Sequence, residues 1–122
     1  MKIAVPVDEK DLGTNVCGSF GRAPYFLIYE TETKKSTFIE NSALASPGGA
    51  GIKAAQLIVD NQADALLTPR CGENAAGVLE SAGIKIYKTR STSVKENLDF
   101  FSDGKLPPLE DIHAGFHGRG GE

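Results

Sequence analysis

The sequence predicts an α/β fold: a five-stranded mixed sheet in the order β-β-β-α-β-α-β-α, with helices on its faces. Three observations carry this. The first half strings together β-branched and aromatic runs separated by polar turns, as a meander does. The second half alternates short apolar runs with stretches of helical periodicity, the mark of strand–helix–strand units. The length, 122 residues, suits one domain with its own core.

The elements follow in order. KIAVPV, residues 2–7, is β-branched and apolar and reads as a strand, with Pro6 near its end where a missing N–H is tolerated. Residues 8–24 form a long polar loop containing Gly13, Gly18 and Gly21, and a loop of that length marks function or disorder. YFLIYE (25–30) and STFIEN (36–41) are strands joined by the turn TETKK, which makes an antiparallel hairpin. After the break SPGGAG (46–51), Ile52, Ala55, Ile58 and Val59 give residues 52–61 helical spacing. DALLT (64–68) is the fourth strand. ENAAGVLESAG (73–83) is a helix that Gly83 stops. IKIYK (84–88) is the fifth strand. Ser93 and Glu96 have capping-box spacing and open a last helix, VKENLDFFS, with Val94, Leu98 and Phe101 on one face. Gly104, Pro107 and Pro108 end it. The domain is read as 1–105, followed by a mobile, glycine- and histidine-containing tail, 106–122.

Right-handed crossovers put the first strand at the centre, with the hairpin on one side and the parallel strands on the other. Ligands in such sheets bind outside the carboxyl ends of the parallel strands, at the switch point. The segments leaving those ends are the 8–24 loop, TPRCG (68–72) and KTRST (88–92). They carry Cys17, Arg22, Arg70, Cys71 and Arg90.

Composition excludes several classes. The net charge of −3 argues against a nucleic-acid binder, which needs a concentrated basic face. No apolar run reaches the roughly 18 residues of a membrane span. MKIAVPVDEK lacks signal-peptide architecture, since Asp8, Glu9 and Lys10 follow a short apolar stretch. The chain is therefore read as cytoplasmic, its two cysteines as thiols.

Gly72, Glu73, Asn74 and Ala75 open a helix, where unpaired amides and the positive dipole end favour an anion, with Arg22 and Arg70 adding charge. The plainer reading is that Asn74 or Glu73 caps the helix. Thiolates of Cys17 and Cys71 are soft metal ligands, and a helix N-terminus lowers a cysteine pKa. The alternative is packing, or a redox disulfide between them. Two thiols do not complete a four-ligand site; a homodimer, exogenous sulfide or tail histidines must supply the rest. His113 and His117 stand four apart, but Gly115 and Gly118 oppose a helix there, leaving an inert tail or a loose metal recruiter. Asp8, Glu40 and Asp64 do not converge as two-metal nuclease chemistry requires, because Asp64 stands at the amino end of its strand. GGAG (48–51) lacks the Lys-Ser/Thr ending of a P-loop.

SFGRAPYFLIYE, and then GGAGIKAAQLIVDNQADALLTPRCGENAAGVLESAGIKIYK, resemble the dinitrogenase iron–molybdenum cofactor biosynthesis family over about residues 1–105. FGRAP in the first loop and G-x-N-A at the second helix carry the resemblance together. It implies a ribonuclease H-like fold. It also implies a non-enzymatic carrier of an iron–molybdenum cofactor precursor or a molybdenum–copper sulfide cluster, served by a donor or acceptor protein. Its site would draw on Cys17, Ser19, Arg22, Arg70, Cys71, Gly72, Asn74 and Arg90, with Cys17, Cys71, His113 and His117 as candidate metal ligands. Ser19 stands where members commonly carry histidine. Two other classes compete: a metal-free protein–protein interaction module, and a small redox or hydrolytic enzyme built on Cys71, for which both histidines lie in the tail.

Overall fold

A computed structural model describes residues 1–45 and 48–109. The elements are β1 (Lys2–Val7), β2 (Tyr25–Glu30), β3 (Lys35–Glu40), a 3-10 turn (Ser42–Ala45), α1 (Ala50–Asp60), β4 (Ala65–Thr68), α2 (Glu73–Ser81), β5 (Lys85–Lys88) and α3 (Val94–Ser102). The strand order is β3-β2-β1-β4-β5, so β1 is central as expected. β2 runs antiparallel to β1 and β3, and β4 runs parallel to β1 and β5. The expected α/β mixed sheet is the observed one. No helix among the described residues is long and apolar enough to cross a membrane.

Both faces of the sheet are covered, which is why β1 is apolar at nearly every position. Ala4, Phe26, Ile28, Leu66 and Ile86 pack on one face against Ala54, Ala55 and Ile58 of α1 and Ala75, Ala76 and Leu79 of α2. Ile3, Val5, Val7, Leu27 and Leu67 form the other face with Val94, Leu98 and Phe101 of α3. The start of α3 is capped as its sequence implies: Ser93 Oγ accepts from the Glu96 amide at 3.2 Å. Gly83, with φ of +80°, follows α2 in the left-handed conformation that suits glycine.

Three expectations shift. Helix α1 begins two residues early, at Ala50, because Gly49 takes φ of +69° at its N-cap. Ile52 is then 43% exposed instead of joining the core stripe. The 8–24 loop is fixed in place. The β1–β4 ladder ends at Ala4–Leu66, and residues 15–17 fill the flank beyond it, where Cys17 N donates to Pro6 O (2.9 Å) and Val16 N to Thr92 O (2.8 Å). Pro6 lies beyond the last β4 pair, so its missing N–H interrupts none of that ladder. Residues 106–109, read from sequence as the start of the tail, instead close the β5 edge. Lys88 N donates to Pro107 O (2.8 Å), Leu109 N to Ile86 O (2.9 Å), and Leu106 and Leu109 are buried. His113 and His117 lie outside the described residues.

Candidate functional site

Where the carboxyl ends of β1 and β4 diverge, an open cleft of about 610 Å³ forms. Residues 18–22, 49–52 and 70–75 wall it. Small residues let the three segments meet. A Cβ on Gly21 would lie 3.1 Å from Gly51 Cα and 3.2 Å from Gly51 N, so the loop rests directly on the first turn of α1. A Cβ on Gly51 would in turn stand 3.7 Å from that of Ala75 in α2. Phe20 anchors the loop from beneath, buried with its ring 5.3 Å from that of Phe26.

Two helices thus begin at one cleft. Their N-cap residues, Gly49 and Gly72, have no side chain to bond the first-turn amides, and neither helix has a side-chain cap. The N-cap of α2 is Gly72, not Asn74 or Glu73, and both of these stand inside the first turn of the helix and line the cleft. Arg22 and Arg70 are exposed on its walls, and among the described residues neither pairs with a carboxylate. Glu73 is the acidic residue of the lining. Ser19 lines it too, exposed.

Cys71 is 1% exposed and forms part of the floor. Its thiol is pushed up to about 11, first by burial and then by the negative charge of Glu80. Burial thus opposes the charged form, the reverse of the activation expected from the helix N-terminus. The preceding turn is held by buried Thr68, whose hydroxyl donates to Arg70 O at 2.9 Å. Cys17 is half-buried, outside the cleft lining, and its Sγ donates to Ser19 O at 3.5 Å. Burial pushes its thiol up as well, with Asp8 adding to the effect. Both cysteines are free thiols packed on the same apolar cluster.

Arg90 is placed elsewhere. It does not line the cleft, and its guanidinium stacks 4.9 Å from the Phe100 ring centroid. Its loop is stapled by buried Asn97, which accepts from Arg90 N (2.8 Å) and donates to Ser91 O (2.9 Å) and Ser93 O (2.7 Å). Among the described residues no three His, Cys, Asp or Glu side chains converge as a metal site. Asp64 accepts from the Lys2 amide (2.8 Å) at the opposite end of the sheet. Sequence reasoning missed the wall at 49–52. Its signal was the glycine-rich SPGGAG break, which was weighed only as a P-loop.

The dinitrogenase iron-molybdenum cofactor family matches residues 1–104. An uncharacterized protein of Methanocaldococcus jannaschii is 35% identical over 113 residues, covering 90% of this chain and 92% of its own. The apo form of the orange protein from Desulfovibrio gigas superposes with a TM-score of 0.85 at 32% identity, over 89% of this chain and 92% of its own. A NifB-like protein from Thermotoga superposes at 0.78 with 37% identity, over 88% of this chain and 92% of its own. With that match across nearly all of the described fold, the chain belongs to the dinitrogenase iron–molybdenum cofactor family.

Proposed function

We propose that this chain is a non-enzymatic carrier that holds an anionic metal–sulfur cluster, or the precursor of one, in the cleft. One observation carries the reading: two helix N-termini capped by glycine and two arginines that, among the described residues, have no carboxylate partner open on the same cleft. Each hydrogen bond from an amide or guanidinium to a charged acceptor is worth about 1.5–3 kcal/mol. A helix end adds up to about 2 kcal/mol where partly buried. A cluster taken up through a thiolate would first require ionising Cys71. With a pKa of about 11 that costs about 5 kcal/mol at neutral pH. The residues present therefore fit a preformed anion held by charge and amides better than a bare metal ion held by cysteine. Arg22, Arg70, Ser19 and the amides of residues 72–74 are its contacts, and Cys71 is its floor.

Family membership supports a cluster or cofactor role in general, and the fold is shared with the orange protein, whose solved structure is an apo form. A molybdenum–iron or molybdenum–copper sulfide suits the site, being polynuclear and negatively charged. The lining offers binding groups and a protonated thiol in place of a nucleophile–base pair. A carrier needs a donor or acceptor protein, and the open mouth leaves the cargo within such a partner's reach. Ile52 at the mouth, 43% exposed, favours docking there. If that docking is the whole function, the protein stays colourless.

The test is uptake of tetrathiomolybdate, with and without copper(I), by anaerobically purified protein. Elemental analysis and the charge-transfer band report it. Wild type takes up metal stoichiometrically, with an affinity that falls as salt is raised. The R22A/R70A double variant binds at least about tenfold more weakly. Equal binding by that variant overturns the reading.

A further inference from the structure

Asn41 follows β3 and is 4% exposed, and it stands behind the cleft wall without lining the cleft itself. Its side chain is fully engaged. Nδ2 donates to Gly21 O at 3.2 Å and to Ala23 O at 2.8 Å, while Oδ1 accepts from Ala43 N at 3.0 Å. Its backbone N–H donates to Pro24 O at 3.1 Å, and its carbonyl accepts from Leu44 N at 3.1 Å. One buried amide therefore grips the carbonyls on both sides of Arg22 and ties them to the turn that leads into α1.

We infer that Asn41 is the positioning residue of the cleft, fixing the backbone of Arg22 so that its guanidinium stands ready for an anionic ligand. The inference rests on the carrier reading above. An exposed arginine loses binding energy to its own conformational freedom unless its backbone is held. The contact of Gly21 with Gly51 and the packing of the buried Phe20 ring on Phe26 also fix this loop wall, but neither bonds a carbonyl beside Arg22. Aspartate cannot substitute: it keeps the acceptor for Ala43 but turns both donors into a carboxylate facing two carbonyls. Asn97 is the internal control. It is as buried and makes as many side-chain bonds, but it staples the Arg90 loop, which does not line the cleft.

Tetrathiomolybdate affinity and thermal unfolding are measured for wild type, N41A, N97A, R22A and N41A/R22A. Both asparagine variants lose stability. N41A binds about tenfold more weakly while N97A binds as wild type does, and N41A/R22A binds no more weakly than R22A alone. If N41A does not fold, N41S, which keeps one donor, goes through the same cycle. Full affinity in a destabilised N41A, or additive losses in the double variant, overturns the inference and leaves the carrier reading standing. Failure of wild type to take up the probe overturns both.

Discussion

Cys71 provides the sharpest test of how this cleft works, because two roles predict opposite reactivities. The perturbation is a pulse of iodoacetamide at pH 7. A thiol at an ordinary pKa near 8.5 is about one part in 30 thiolate at that pH, and one at about 11 is about one part in 10,000. Ionisation alone therefore slows Cys71 by about 300-fold. The stronger nucleophilicity of the more basic thiolate restores about tenfold, leaving about thirtyfold. At 1% exposure the sulfur must also wait for the floor to open. Peptide mass spectrometry should find Cys17, which is half-buried, labelled well before Cys71, and Cys71 labelled at appreciable rate only under denaturant. Cys71 modified as fast as free cysteine would show an accessible thiolate. That result would refute the argument from desolvation and return both the thiolate-ligand and the cysteine-enzyme readings.

Four further outcomes follow from the same geometry. The Cys71 thiol is raised from 9.0 to about 11 on folding, so its contribution is complete below pH 9 and lost as pH climbs through 11. Urea titrations should show about 3 kcal/mol of stability disappearing across that window, and a flatter profile in C71A. In G21A the new Cβ would meet Gly51 backbone at 3.1 Å, so thermal unfolding should report a loss of about 1–3 kcal/mol, and no change would mean the loop yields freely. S93A removes the hydroxyl that accepts from Glu96 N and should cost about 1 kcal/mol in urea. L109A, at a site 6% exposed, should cost about 2–5 kcal/mol; a loss under 0.5 kcal/mol, roughly what an exposed site shows, would make residues 106–109 a tail after all.

Much of this architecture can be read from hydrophobic period alone. β1 is apolar on both faces because helices cover both, and alternating segments of helix and strand leave few ways to close the sheet. The location of the cleft follows from the same topology. Side-chain chemistry within it was less legible. Cys71 and Arg90 occupy equivalent loops in sequence terms, yet one faces inward to the core and the other stacks on Phe100, a difference set by packing that no spacing encodes. Asn41 and Asn97 are polar residues in polar stretches, so neither announces burial. Only the carbonyls they meet, contributed by segments distant in sequence or folded back in a turn, make them internal. The start of α1 was hidden because glycine suppresses helical expectation, although Gly49 is what lets that helix begin at the cleft.

The burial of Cys71, which disfavours its thiolate, bears on what a carrier requires. A cargo tied through metal–thiolate bonds leaves only when those bonds break. One held by amides, two arginines and helix ends is held by many contacts of modest individual worth, each replaceable by water or by a partner's groups. Affinity then accumulates from number and preorganisation, while release needs no single strong bond to be cut. The close seat of Gly21 on Gly51 and the grip of Asn41 around Arg22 supply that preorganisation from the protein's own backbone. The protonated floor at Cys71 adds an apolar surface without adding charge that would repel an anion. On the carrier reading proposed above, the exposed arginines would govern approach and salt sensitivity, and buried Asn41 would govern how much of the Arg22 charge is delivered to the ligand.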